Sequence, residues 1–189
     1  RAWRDDANAK ADRIDLAALL RAPNRPDTVR GAIQGLQVVF GSQGTSVREL
    51  MRQAKLSART APFSLAVGRD RSPVQVQQAS IEVDPGGPVR ASAAGQALGA
   101  PMDLKMVAGP LAELLRPETA WPKIEATLRT ALDGNTLDVL ATSGPLQRLI
   151  GLRDVPLALQ ATLPGARATL DGKVGNLAAP TGAQLAARI

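Results

Sequence analysis

The side chains that could carry out catalysis in this chain are acidic, and they are spread singly along it. The sequence of 189 residues contains no histidine, no cysteine and no tyrosine. This composition excludes a serine–histidine pair, a histidine general base and a zinc site built on cysteine or histidine. A carboxylate-based hydrolase needs two acidic groups in one pocket, and the spacing predicts no such pair. We therefore expect no enzyme activity, no catalytic residue, no metal site and no cofactor. The acidic residues considered are Asp84, Glu113, Glu118, Glu125, Asp133 and Asp138.

The charge of the chain raises the question of a nucleic acid partner. The formal net charge is +6, mostly from arginine, but the arginines are scattered and only 2% of the residues are aromatic. Proteins that bind nucleic acid combine clustered basic residues with aromatic side chains that stack on bases. We therefore expect no nucleic acid partner. Arg116, Arg148 and Arg153, beside predicted helices, could contact lipid phosphates, although such residues more often lie on a solvated surface.

Apolar side chains that recur at every second position are the strongest signal in the chain. Met102, Leu104 and Met106 alternate with Asp103 and Lys105, which places the three apolar residues on one face of a strand. The same alternation recurs in several other segments, and aliphatic residues supply nearly all of its apolar positions. The predicted apolar face consists of Leu36, Val38, Phe40, Phe63, Leu65, Val67, Met102, Leu104, Met106, Leu137, Val139, Leu157, Leu159, Leu163, Leu170 and Val174.

The elements that position these side chains are antiparallel strands joined by tight turns. The clearest case is 155–174, where two alternating runs flank Pro164-Gly165. Further turn signals lie at 84–88 and 133–135. Ser46, with Glu49 three residues later, forms a capping box for a short helix in VRELMRQ. The sequence predicts a mainly β protein: a long, bent, antiparallel sheet of ten or more strands with about three short helices.

One unit of the sequence occurs twice. GPLAELL at 109–115 returns as GPLQRLI at 144–150, and the strand ending at Leu128 has a counterpart ending at Leu163. Both offsets are 35 residues (144 − 109 and 163 − 128), and a fixed period of this size indicates a repeat. We expect each Gly-Pro to start a short helix between two strands. Two sections are predicted, 1–95 with one short helix and 96–189 with the repeat.

The apolar face of such a sheet must be covered, and the sequence allows two arrangements. A second sheet could close it as a sandwich. In an open sheet the same face becomes a groove, or open half-barrel, lined by aliphatic side chains. A groove suits acyl chains because each CH₂ group kept from water is worth about 0.8 kcal/mol whether it lies in a bilayer or against the protein. For any one residue, packing in a closed core remains the alternative.

Three segments together resemble the AsmA-like family of bacterial envelope proteins (AsmA/TamB type). They are FGSQGTSVRELMRQAKLS at 40–57, APMDLKMVAGPLAELLRPETAWPKIEATL at 100–128 and VLATSGPLQRLIGLRDVPLALQATLPGARATLDGKVG at 139–175. The family carries G-P-x-L-x-x-L-L after an alternating strand, then a P-L-x-L strand and an L-x-G-x-V-G-D hairpin. Asn176 departs from this pattern, which favours Asp. With the segments between them, the resemblance extends over roughly 14–189.

The resemblance implies a periplasmic, repeated β-groove that holds phospholipid or another acyl lipid. It implies a role in phospholipid transport and outer-membrane biogenesis in the cell envelope. The parent protein would be anchored in the inner membrane by a segment outside this chain, which we expect to be a piece of a longer polypeptide. The alternative is a structural or assembly module that acts on outer-membrane assembly proteins by pairing an open sheet edge with a client strand.

Overall fold

The chain folds into one large antiparallel sheet. The computed structural model describes residues 3–15, 29–67, 72–115, 123–132, 134–145, 153–176 and 184–188. The strands are β1 (Trp3–Asp15), β2 (Val29–Gly44), β3 (Lys55–Arg59), β4 (Phe63–Val67), β5 (Ser72–Val83), β6 (Pro88–Ala97), β7 (Ala100–Pro110), β8 (Lys123–Leu132), β9 (Asn135–Pro145), β10 (Arg153–Leu163), β11 (Ala166–Asn176) and β12 (Gln184–Arg188). These twelve strands join in the order β1-β2-β3-β5-β6-β7-β8-β9-β10-β11-β12, and β4 lies beside this path, paired with β2 and β5. The predictions of a mainly β fold and of ten or more antiparallel strands are confirmed.

The two ends of the sheet carry different connections. At one end, two-residue loops join β6 to β7, β8 to β9 and β10 to β11, as the partner pairs Ala97–Ala100, Leu132–Asn135 and Leu163–Ala166 show. Leu98 and Gly99 both have positive φ, 53° and 80°, which is the conformation of a type I′ hairpin turn. The helices lie at the opposite end of the sheet, together with the turn between β5 and β6, so these three two-residue loops and the helices occupy separate rims.

One short α-helix, α1 (Val47–Arg52), begins at the predicted cap. The backbone N–H of Glu49 donates to Ser46 Oγ at 3.3 Å, and Glu49 Oε2 accepts from the backbone N–H and the Oγ1 of Thr45 at 2.8 and 2.6 Å. These hydrogen bonds from Thr45 and the nearby charge of Arg52 lower the pKa of Glu49 from its ordinary value. None of the helices in the described part of the chain is long and apolar enough to cross a membrane.

Each of the two Gly-Pro segments lies at the end of a strand. Pro110 is the last residue of β7, where it pairs with Pro88, and a 3₁₀ helix (Leu111–Leu115) follows. Pro145 likewise ends β9. Proline has no N–H to donate, so it ends a strand ladder as readily as it starts a helix. The described residues hold this 3₁₀ helix and α1 in place of three predicted helices, and the second Gly-Pro helix lies outside them. The repeat, the two sections and the bent groove stay predictions.

A bulge in β5 keeps its apolar residues on one face. Val76 pairs with Gly95 and Gln78 with Ala94, so Gln77 is left out of the ladder. The extra residue reverses the alternation, which puts Val76 and Ile81 on the same side of the sheet although their numbers differ in parity. A Cβ at Gly95 would collide with the backbone oxygen of Gln75. The bulge therefore requires glycine at this position.

Candidate functional site: an apolar sheet face

A single row of apolar residues crosses the sheet from edge to edge. Residues directly opposite each other in neighbouring antiparallel strands project to the same face, so the register can be followed from strand to strand. With β4 set aside, the path runs through eleven of the twelve strands, and each contributes one apolar residue to this row. We call it the apolar row, and its members in sheet order are Ala9, Val38, Ala58, Ile81, Ala91, Met106, Ala126, Ala141, Leu159, Leu170 and Ala187.

The row one residue away, on the opposite face, is polar. It contains a single apolar member, Leu140, and charged side chains from several different strands. Each residue of the polar row is the sequence neighbour of a residue of the apolar row. The difference in polarity therefore separates the two faces of the sheet and not two segments of the chain. This polar row consists of Lys10, Gln37, Arg59, Ser80, Ser92, Lys105, Thr127, Leu140, Gln160, Thr169 and Arg188.

The predicted lining residues fall on the face of the apolar row. Leu104 pairs with Leu128, Leu128 with Val139, and Val139 with Ala161, which gives a second apolar row beside the first. All the predicted residues occupy register positions of this face. The side chains of Val67, Leu157 and Val174 lie outside the described part. The other members, all half-buried, are Leu36, Val38, Phe40, Phe63, Leu65, Met102, Leu104, Met106, Leu137, Val139, Leu159, Leu163 and Leu170.

Sequence reasoning missed the smaller and the out-of-phase members of the face. Ala58, Ala91 and Ala126 occupy central positions of the apolar row, but alanine gives a weak strand signal. Ile81 lies on the same face as Val76 only because of the bulge at Gln77. The register of their partners is the signal that reveals them, and it is a property of paired strands that a single alternating segment does not contain.

The described residues leave this face largely uncovered. The hydrophobic residues that are fully buried in the described part are Ala54, Ala58, Val76 and Val83, and Ile81 in the middle of the face is 42% exposed. Substantial contacts between the described elements join neighbouring strands or involve α1 and the 3₁₀ helix. A sandwich would bring a second sheet across the face about 10 Å away. The described ranges contain no such layer.

The described part of the polar face carries ion pairs between charged side chains. Arg129 donates to both carboxylate oxygens of Asp138 on the neighbouring strand, at 2.7 and 3.4 Å, and Asp138 raises the pKa of Arg129. Together with Asp103 and Lys105 they line a shallow cleft of about 320 Å³. Each carboxylate has a cation within 4.0 Å, so the cleft offers no isolated acid. Among the described residues no cluster of three or more acidic side chains could hold a metal ion.

Comparison of the chain with protein-family models, with curated proteins and with solved structures gives no match. The resemblance to the AsmA-like family therefore stays a prediction from the motifs.

Proposed function

We propose that the apolar face holds the acyl chains of a lipid. The observation that carries this proposal is the unbroken apolar row with a polar row directly beside it on the other face. Soluble proteins rarely expose a contiguous apolar patch of more than a few hundred Å² without a binding role. A long apolar surface of this kind is best covered by a long apolar ligand.

The chemistry of the lining favours flexible tails over rigid rings. The whole chain has four aromatic residues, two Trp and two Phe, and the central strands supply alanine, valine, leucine, isoleucine and methionine. Aromatic ligands gain from stacking against aromatic side chains, which this face scarcely offers. Methionine is unbranched and adapts to irregular partners. Transfer of a tail from bilayer to protein is nearly neutral, since each CH₂ is shielded from water in both places.

The strands are longer than the acyl chains of one bilayer leaflet. β7 has 11 residues, which gives a length of roughly 36 Å at about 3.3 Å per residue. The hydrocarbon part of one leaflet is about 15 Å thick, half of a bilayer core. A tail can therefore lie along a strand without reaching beyond the sheet.

The wider role that we propose follows the family resemblance. The face would be one section of a periplasmic groove in a parent protein anchored in the inner membrane. It would carry phospholipid between membranes in support of outer-membrane biogenesis. Binding of an acyl chain requires a complementary apolar surface and no catalytic group. This proposal is therefore compatible with the expectation that the protein is not an enzyme.

The alternative, capture of a client strand, has one observation in its favour. Within the described residues β1 and β12 each pair on one side only. However, β1 carries charged residues along its length, among them Asp6, Lys10 and Asp12, and charged edge strands resist pairing with other chains. We therefore favour the lipid proposal.

The experiment that tests it uses single cysteines in this cysteine-free chain. Ala91→Cys, Ala126→Cys and Ala141→Cys place an environment-sensitive bimane label in the apolar row. The matched controls are their neighbours on the polar row, Ser92→Cys, Thr127→Cys and Leu140→Cys. We expect lipids brominated on the acyl chain to quench the first set and not the second. Equal quenching of both sets, or of neither, would refute the proposal.

A further inference from the structure

A cleft opens at the helical rim, where the apolar face ends. It has a volume of about 330 Å³ and is lined by Arg48, Arg52, Gly86, Pro110, Ala112 and Glu113. These residues come from α1, from the turn between β5 and β6, from the end of β7 and from the 3₁₀ helix. The volume lies at the lower end of the range for small-molecule sites.

The helix that carries the two arginines is held in place at both ends. Ser42 Oγ, in β2, donates to the backbone oxygen of Leu50 at 2.5 Å, and the backbone N–H of Gly86 donates to the backbone oxygen of Arg52 at 2.6 Å. A helix of six residues does not persist by itself in water. These bonds and the Ser46 cap therefore fix where the two guanidinium groups emerge.

The charges of the cleft favour an anion. Arg48 and Arg52 lie four residues apart, so their like charges are neighbours on one side of the helix, an arrangement that costs stability. In the described part of the chain neither guanidinium has a carboxylate within 4.0 Å. Glu113 also lines the cleft and makes an interaction of its own. Two arginines and one glutamate leave a net charge of +1 (2 − 1) among the lining side chains, although the charge of Arg52 also acts on Glu49 in the same helix.

The cleft adjoins the face proposed to hold the tails. Gly86 follows the buried Val83 of that face by three residues, and Pro110 follows its Ala108 by two. Three residues of extended chain span at most about 11 Å. A ligand could therefore place a charged group between the arginines while its tail lies along the strands.

We propose that Arg48 and Arg52 bind a phosphate ester, with guanidinium forks contacting the phosphate oxygens. Arginine suits this group because its planar donors match two oxygens at once. The preference for a phospholipid over an uncharged lipid rests on the proposed function, whereas the phosphate contact does not. The same chemistry could be met by a lipid headgroup or by a free phosphate ester.

The test compares three probes on the full chain: phosphatidylglycerol, diacylglycerol with the same tails, and glycerol 3-phosphate. The variant is Arg48→Gln with Arg52→Gln. The matched control, Arg13→Gln with Arg167→Gln, removes the same charge from two exposed strand positions. We expect the cleft variant to lower affinity for phosphatidylglycerol about tenfold and to leave that for diacylglycerol unchanged, and the control to change neither.

Each result has a defined meaning. If the ratio of the affinities for phosphatidylglycerol and diacylglycerol is the same in the wild type and the cleft variant, the phosphate site is refuted even though tails bind. If the wild type binds neither lipid, the acyl proposal fails and glycerol 3-phosphate decides: saturable binding that the cleft variant abolishes supports the site. If the wild type does not bind glycerol 3-phosphate, or if the cleft variant still binds it, the phosphate site is refuted.

Discussion

Met106→Asp is the substitution that separates an open apolar face from a closed core. Met106 lies in the apolar row between Ala91 and Ala126 and is half-buried. Complete burial of a methionine is worth about 1.5–3 kcal/mol, so removing a half-buried one from the open face costs roughly 1 kcal/mol of unfolding free energy. A carboxylate on an open face keeps its water. In a closed core, an unpaired charge would instead cost about 3–5 kcal/mol.

The same substitution acts much more strongly on lipid binding. A tail lying over the introduced carboxylate would strip water from it, which we take to cost about 3 kcal/mol, or roughly 100-fold in affinity. The control is Val107→Asp, which adds the same charge one residue away on the opposite face, where Val107 is 43% exposed. We expect Val107→Asp to bind lipid like the wild type.

Urea unfolding and titration with a fluorescent fatty acid measure the two effects. An open, lipid-binding apolar face is refuted if Met106→Asp binds lipid as tightly as Val107→Asp does. It is also refuted if Met106→Asp loses more than about 3 kcal/mol of stability without ligand, because the residue would then be part of a core.

Two further predictions concern the parts that shape the face and its rim. Gly95→Ala would press a Cβ into the backbone oxygen of Gln75, so we expect a loss of about 3 kcal/mol or more of unfolding free energy, measured by urea denaturation. The pKa of Glu49 is lowered in the folded chain by hydrogen bonds from Thr45. The ionised Glu49 side chain therefore contributes fully to the free energy of unfolding above its pKa in the unfolded chain. This contribution is lost as the pH falls through the lower pKa in the folded chain. Urea midpoints followed downward through this window should fall more steeply for the wild type than for Glu49→Gln.

Both predictions have clear contrary outcomes. Ala94→Ser, the exposed neighbour of Gly95 on the polar face, should stay within about 0.5 kcal/mol of the wild type. A Gly95→Ala protein as stable as that control would show that the bulge accommodates a Cβ. Parallel pH curves for the wild type and Glu49→Gln would show that the hydrogen bonds from Thr45 contribute nothing to folding.

Local alternation predicted the strands but could not supply their partners. The alternation from Met102 to Met106 predicts which side of the strand is apolar from these residues alone. The helix cap at Ser46 is likewise predicted from neighbouring residues. In contrast, β1 went unpredicted over most of its length because its apolar positions on that face are mostly alanine, at Ala7, Ala9 and Ala11, and alanine has low strand propensity. The helix expected after Gly109-Pro110 is present as the 3₁₀ helix (Leu111–Leu115), and Pro110 itself ends β7. The sequence alone could not fix this boundary, because proline is compatible both with a strand end and with a helix start.

The face could be predicted as a list of residues but not as a continuous surface. Continuity depends on register, and a slip of one residue would move a whole strand to the other side. The bulge at Gln77 is such a slip inside one strand, and its reversal of phase connects Val76 to Ile81. Nothing in the local sequence requires an extra residue there, because the constraint comes from the partner strand that carries Gly95.

The composition of the apolar row would allow the proposed open face to stay exposed to water at little cost. Six of its eleven members are alanine, one of them on each of β1, β3, β6, β8, β9 and β12. Exposed apolar area costs about 25 cal/mol per Å², so small side chains limit the penalty that the unliganded sheet must bear. The larger Ile81 and Met106 stand on either side of Ala91 and supply the contact surface. Small and large residues alternate in the row from β1 to β8, and this mixture agrees with the proposal that lipid covers the face.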